Sequence, residues 1–214
     1  MNHVENSLLA LEESVRKTAG VRYNAARRLE RRDWFATFSI AMFSAISVGI
    51  AVMQKVYALL PGSLIDDYLT ALSIFIGIFV IVISLIEWGV NARLNAQLIW
   101  QNAEKLNAFK YRLTLWLAQA KDGIALTRAE VAPIYDEYET IKRSCPVNHE
   151  TVDYEMYLIQ TSANSGFAAR DKLSKYNSMK VSMVYLESLL TGIRYFLIFW
   201  LIILILLTVA ILQY

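Results

Sequence analysis

The chain has 214 residues, a net charge of +2, and is 56% apolar against only 19% charged. That balance argues against a soluble globule, and a charge this small gives nucleic acid no electrostatic footprint, so no direct nucleic-acid binding is expected. The single cysteine, Cys145, rules out an intrachain disulfide and a thiolate metal cage.

Residues 1–33 form the first predicted element. Val4, Leu8, Leu11, Val15, Ala19, Tyr23, Ala26 and Leu29 recur every three or four positions, the pattern of an amphipathic helix with Gly20 as its weak point. Its basic end, Arg27-Arg28 and Arg31-Arg32, is expected to attract anionic headgroups at roughly 1 kcal/mol per charge. A charged N-terminus predicts no cleavable signal peptide.

Residues 34–86 read as a two-span hairpin. Trp34–Met53 and Leu69–Ile86 carry no charge and are each about the length that crosses a bilayer core. Both carry a stripe of small and hydroxyl residues: Thr37, Ala41, Ser44, Ser47, Ala51 and Gln54 on the first, Thr70, Ser73, Gly77 and Ser84 on the second. Lipid tails offer hydroxyls no partner, so such stripes face another helix, with the hydroxyls bonded to backbone, or line a narrow pore in an oligomer. Continuing the second stripe reaches Glu87, which either forms an acidic ring at a pore mouth or pairs with a neighbouring arginine. Thr37, Ser44, Ser47, Thr70, Ser73, Gly77, Ser84 and Glu87 are therefore the candidate pore-lining or helix-packing residues. Trp34 and Trp88, and Tyr57 and Tyr68, sit where interfacial aromatics belong, with Pro61-Gly62 as the turn between spans.

Residues 87–192 are expected to form a helical bundle. No break separates the second span from Glu87–Gln119, which reads as one long helix buried along Leu94, Leu98, Leu106, Phe109, Leu113, Trp116 and Ala120 and ended by Lys121-Asp122-Gly123. Thr127–Glu130 fits a capping box, Pro133 falls early in the next helix, and Cys145-Pro146 closes it. Asn148-His149-Glu150 starts another helix, which Asn164-Ser165-Gly166 ends. From Phe167, the pattern Leu173, Tyr176, Met179, Met183, Leu186 and Leu190 leads directly into a third span. Cys145, His149 and Asp153 could in principle ligate zinc, but a helix-start cap with His149 bonded into the bundle explains them better. No phosphate loop, metal motif or nucleophile elbow appears, so neither catalytic residues nor a cofactor are expected.

Residues 193–214 carry the third span, Tyr195–Leu212, which is apolar all round apart from Thr208 and reads as lipid-facing. Basic residues cluster before Trp34 and between Arg93 and Arg194, and they are scarce between Gln54 and Tyr68. The N-terminus and the bundle are therefore expected in the cytoplasm and the C-terminus outside. The fold class is an all-α membrane protein: two core transmembrane helices, a C-terminal third, and a cytoplasmic helical bundle.

The segments RRLERRDWF, WGVNARLNAQLIWQNAEKLNAFKYRL and YDEYETIKRSCPVNHETVDYEMYL together resemble the SLATT-domain proteins, small two-span membrane effectors encoded beside bacterial antiviral sensors. The likeness covers roughly residues 10–165 and rests on Tyr135, Tyr138, Ile141, Asn148, His149, Asp153 and Tyr154. Among such proteins the chain most resembles members paired with reverse transcriptases; others accompany enzymes that make nucleotide signals. The resemblance implies a homo-oligomer in the inner-membrane bilayer that permeabilises it in abortive infection when a defence partner triggers it. The family core has two spans, so the third departs from it. A passive scaffold that recruits a cytoplasmic partner is the alternative.

Overall fold

The computed structural model describes residues 3–56, 62–121, 127–164 and 178–212. Those residues form an all-helical fold with no strand among them: α1 (His3–Val56), α2 (Leu64–Val90), α3 (Ala92–Lys121), α4 (Arg128–Arg143), α5 (Thr151–Asn164), α6 (Ser178–Leu190) and α7 (Arg194–Leu212). Tyr57, Pro61, Asp122-Gly123, Ser165-Gly166, Phe167, Leu173, Tyr176 and Gln213-Tyr214, all used in the sequence reading, lie outside the described residues. The chain divides into two compact units, a polar one (Met1–Leu29 with Arg93–Leu189) and an apolar one (Glu30–Ala92 with Leu190–Tyr214).

In the polar unit the amphipathic stripe of α1 is the core. Leu8, Leu11, Val15 and Ala19 pack against Leu106, Phe109, Leu113 and Leu117 of α3 and Val131, Ile134 and Tyr138 of α4. Gly20 is a seat rather than a weak point, since a Cβ there would lie 2.4 Å from the Tyr157 ring. The buried face of α3 also differs from expectation. Leu94 is 52% exposed and Trp116 36%, whereas Ile99, Ala103 and Leu117 are buried. The expected face drifted by including Leu94 and Trp116, which stand off the stripe that α1 covers. On α6, Val184 and Ser188 are buried and Val181 packs with Val184 against Val152 and Ile159, while Met179, Met183 and Leu186 are exposed. The expected stripe is thus the outer one.

The second span does not run unbroken into the following helix. Asn91 takes a left-handed conformation (φ 48°) and caps α2 through its N–H to the Glu87 carbonyl. Asparagine is among the few residues that adopt this region readily, so the break needs no Gly or Pro. Gly192, at φ 89°, likewise separates α6 from α7, so the third apolar helix is not entered directly.

The apolar unit is a three-helix cluster. Two helical stretches are long and apolar enough to cross a membrane, Val4–Val56 along α1 and Leu64–Ala120, which continues from α2 into α3 across the single-residue interruption at Asn91. Gly62, at φ 77°, and Ser63, whose side chain accepts from the Asp66 N–H, start α2. Phe43 and Ile50 of α1, Leu72 and Ile76 of α2, and Ile203 of α7 form one core. Ala36, Ile83 and Phe196 form a second. The expectation that the third apolar helix faces only lipid is therefore corrected. Phe196, Trp200 and Ile203 recur at three- and four-residue steps and turn inward, which an all-apolar sequence could not reveal.

Candidate functional site

The hydroxyl stripes meet across the hairpin. Ser47 Oγ donates to the Ser73 carbonyl (3.0 Å) and lies 3.2 Å from Ser73 Oγ, and Ser73 Oγ reaches the Ser47 carbonyl at 3.3 Å. One end of the hairpin is closed by Gln54, whose Nε2 donates to the Asp66 carbonyl and carboxylate and to Thr70 Oγ1 at 2.9–3.0 Å. Ser44 and Ser84 bond back to the carbonyls of Ile40 and Val80 one turn earlier. Ser39, outside the expected stripe, is fully buried and accepts from Trp200 Nε1 at 3.1 Å. Thr37 is exposed, and a Cβ on Gly77 would meet nothing within 4 Å. Within one chain, then, Ser47, Ser73 and Thr70 are packing contacts and Gly77 faces open space. Interhelical bonds of this kind in lipid contribute about 0.6 kcal/mol on average, so the hairpin rests mainly on its apolar core.

Glu87 is engaged by an arginine. Arg32 Nη2 donates to Glu87 Oε1 at 2.9 Å, with the two side chains 17% and 13% exposed. Arg32 Nε is buried and finds no acceptor among the described residues. The turn at Gly192 closes over the arginine stem, where a Cβ would lie 2.9 Å from Arg32 Cδ. Trp34 and Trp88, close in sequence to this pair, are 64% and 77% exposed.

In the polar unit the motif residues gather on the α4–α5 turn. Asp153 is buried beside Arg28 and accepts from Arg28 Nε (2.9 Å) and Nη2 (3.0 Å), while its Oδ2 accepts from the Glu150 N–H at 2.9 Å. Arg28 Nη1 also pairs with Glu150 at 2.8 Å, and Asn24 Nδ2 donates to the Asp153 carbonyl. One carboxylate thus caps α5 and neutralises a buried arginine. Burial alone would lower the Arg28 pKa, but its hydrogen bonds to Asp153 and the charges of Asp153 and Glu150 raise it.

A second buried arginine closes the other side of the turn. Arg22 donates to Asn102 Oδ1 and, at 2.8 Å, to the Lys142 carbonyl, where the last turn of α4 presents free carbonyls. Burial lowers its pKa. Asn102 Nδ2 then reaches the Ile141 carbonyl (2.7 Å) and Ser144 Oγ (3.0 Å). Tyr138 meets Thr18 at 3.0 Å, Tyr135 donates to the Ser7 carbonyl, and Lys17 sits 4.4 Å over the Tyr154 ring. Every one of these contacts ties α3, α4 or α5 to another element, so the motif holds the unit together.

The structure does not gather Cys145, His149 and Asp153 into one cluster. Asp153 is spent on Arg28, Cys145 Sγ donates to the Val147 carbonyl at 3.3 Å, and His149 is exposed. No cluster suited to a metal occurs among the described residues. Although the ring keeps contact with solvent, its partial desolvation against the α4–α5 turn lowers the His149 pKa, and the Asp153 charge opposes this. The headgroup role expected of the basic cluster needs correction at two of its four arginines, Arg27 and Arg31 remaining exposed. Arg28 is buried and Arg32 is tied to Glu87, so the burial period of α1 claims them. That was visible in the sequence, because Arg22 and Arg28 stand at helical spacing from Ala19, Ala25 and Ala26 on the buried side.

A family model described as SMODS and SLOG-associating 2TM effector domain family 5 matches residues 4–214. The match extends through α7, while the family's description counts two spans. No curated protein and no solved structure matches the chain.

Proposed function

The chain belongs to this family of two-span membrane effector domains, and from that premise we propose that it permeabilises the bacterial inner membrane after assembling into a homo-oligomer. The observation that carries the reading is the sealed hairpin. Ser47 and Ser73 satisfy each other, Gln54 satisfies Thr70, and most of each apolar window remains uncovered in the single chain. With those hydroxyls paired inside the hairpin, its uncovered faces suit contact with further copies or lipid. Gly77 and Gly49, both with open space before them, are where such copies approach most closely.

In this reading α7 crosses the bilayer as a third span, with the N-terminus and the polar unit in the cytoplasm. The polar unit receives the trigger from a defence partner, either a nucleotide-signal-producing enzyme or a reverse transcriptase. The family's association with SMODS and SLOG supports such a partner. The test is purified protein in liposomes loaded with a self-quenched dye, with assembly followed by native mass analysis. Oligomers that release dye are expected. Oligomers that leave vesicles tight at every density, alone and with the polar unit engaged by its partner, favour the scaffold alternative.

A further inference from the structure

We propose that the Arg32–Glu87 pair is a resting-state latch that keeps the inner end of the hairpin shut, and that effector activation requires its release. The proposal rests on the permeabilising reading and adds the device that restrains it. Glu87 continues the helical face of Ser73, Gly77 and Ser84, so its carboxylate stands at the end of the stripe that a water path would follow. In this structure that carboxylate is occupied by Arg32 at 2.9 Å. Three helices meet there, because Arg32 belongs to α1, Glu87 to α2, and the Gly192 turn that closes over the arginine precedes α7.

The closed arrangement carries its own cost. Arg32 uses Nη2 on Glu87 while its buried Nε has no acceptor among the described residues. Water or a headgroup phosphate would satisfy that donor once the side chain swung outward. Release therefore repays part of what breaking the ion pair costs, which is the energetic form of a two-state switch. Gly192 sets the geometry: its left-handed φ strains any residue with a Cβ, and a Cβ there would press on the arginine stem and force it to shift.

The test places a single thiol at Ser84, one turn from Glu87, in full-length protein carrying Cys145→Ser, and measures labelling by a membrane-impermeant maleimide without any trigger. Arg32→Ala is expected to raise labelling roughly tenfold, the factor that loss of about 1.4 kcal/mol of closed-state stability produces. The exchanged pair Arg32→Glu with Glu87→Arg is expected to return it toward the parent. Where Arg32→Ala does not accumulate in the membrane, Arg32→Lys, which keeps the charge but loses the planar fork, carries the same readout. Labelling unchanged in the inserted single variants, or an exchanged pair that labels like them, overturns the latch. Labelling that rises while co-reconstituted vesicles stay tight upholds the latch and instead overturns the permeabilising reading.

Discussion

Removing the Asp153 carboxylate should be the most damaging single change in the polar unit. Arg28 is 5% exposed and Asp153 1%, and Asp153→Ala takes away the acceptor for two guanidinium donors and for the Glu150 N–H. Stranding one partner of a buried pair costs about 3–5 kcal/mol. Glu150 still reaches Arg28, which argues for the lower end, and the lost cap adds about 1 kcal/mol. The total, about 4 kcal/mol, is a large share of a stability that is typically about 5–15 kcal/mol. In detergent, followed by far-ultraviolet circular dichroism, this corresponds to a fall in Tm of about 10 °C or more. Asp153→Asn keeps shape and one acceptor and should lie between. Arg28→Met with Asp153→Leu should recover most of the loss, because no charge is then left buried. A melting curve for Asp153→Ala within a degree or two of the parent, or a double variant no better than the single, would refute the reasoning.

Gly20→Ala should destabilise by a net of about 1 kcal/mol. Helix propensity favours alanine by roughly 1 kcal/mol, but overpacking against Tyr157 costs about 1–3 kcal/mol, and the variant paired with Tyr157→Leu should melt higher than Gly20→Ala alone. Gly77→Leu should leave thermal stability of the single chain unchanged, since nothing lies within 4 Å of a Cβ there, yet reduce oligomer in crosslinking by several-fold; equal oligomer yield would remove Gly77 from the interface. A reporter active only outside the membrane should work when fused after Tyr214 and fail before Met1, and the opposite result would invert the topology.

Much of the helical framework was legible in the sequence because periodicity encodes a buried face directly. Leu8, Leu11, Val15 and Ala19 announced the α1 core, and Thr127 with Glu130 announced the start of α4, where the Glu130 carboxylate accepts the Thr127 N–H at 2.8 Å. The inward face of α7 was hidden, because Phe196 and Ile203 are chemically no different from their lipid-facing neighbours. The break at Asn91 was hidden too, since an asparagine in the left-handed region leaves no mark of the kind Gly or Pro does. At the candidate site, the meeting of Ser47 with Ser73 follows from two stripes on adjacent helices, and pairing of Glu87 with an arginine was one of the two readings considered. Which arginine it would be, and that Asp153 would be the partner of the buried Arg28, depends on contacts separated by 55 and 125 residues, beyond the reach of local pattern.

The permeabilising role is tested most directly in cells carrying the gene with its native flanking genes, challenged by phage while entry of a membrane-impermeant DNA dye is followed through time. Dye entry before the phage latent period ends is predicted with the parent chain. It should be absent when the hairpin is shut by Ser47→Cys and Ser73→Cys under oxidising conditions, and should return on reduction. Growth arrest with the membrane intact throughout, or dye entry undiminished by the closed crosslink, would contradict it.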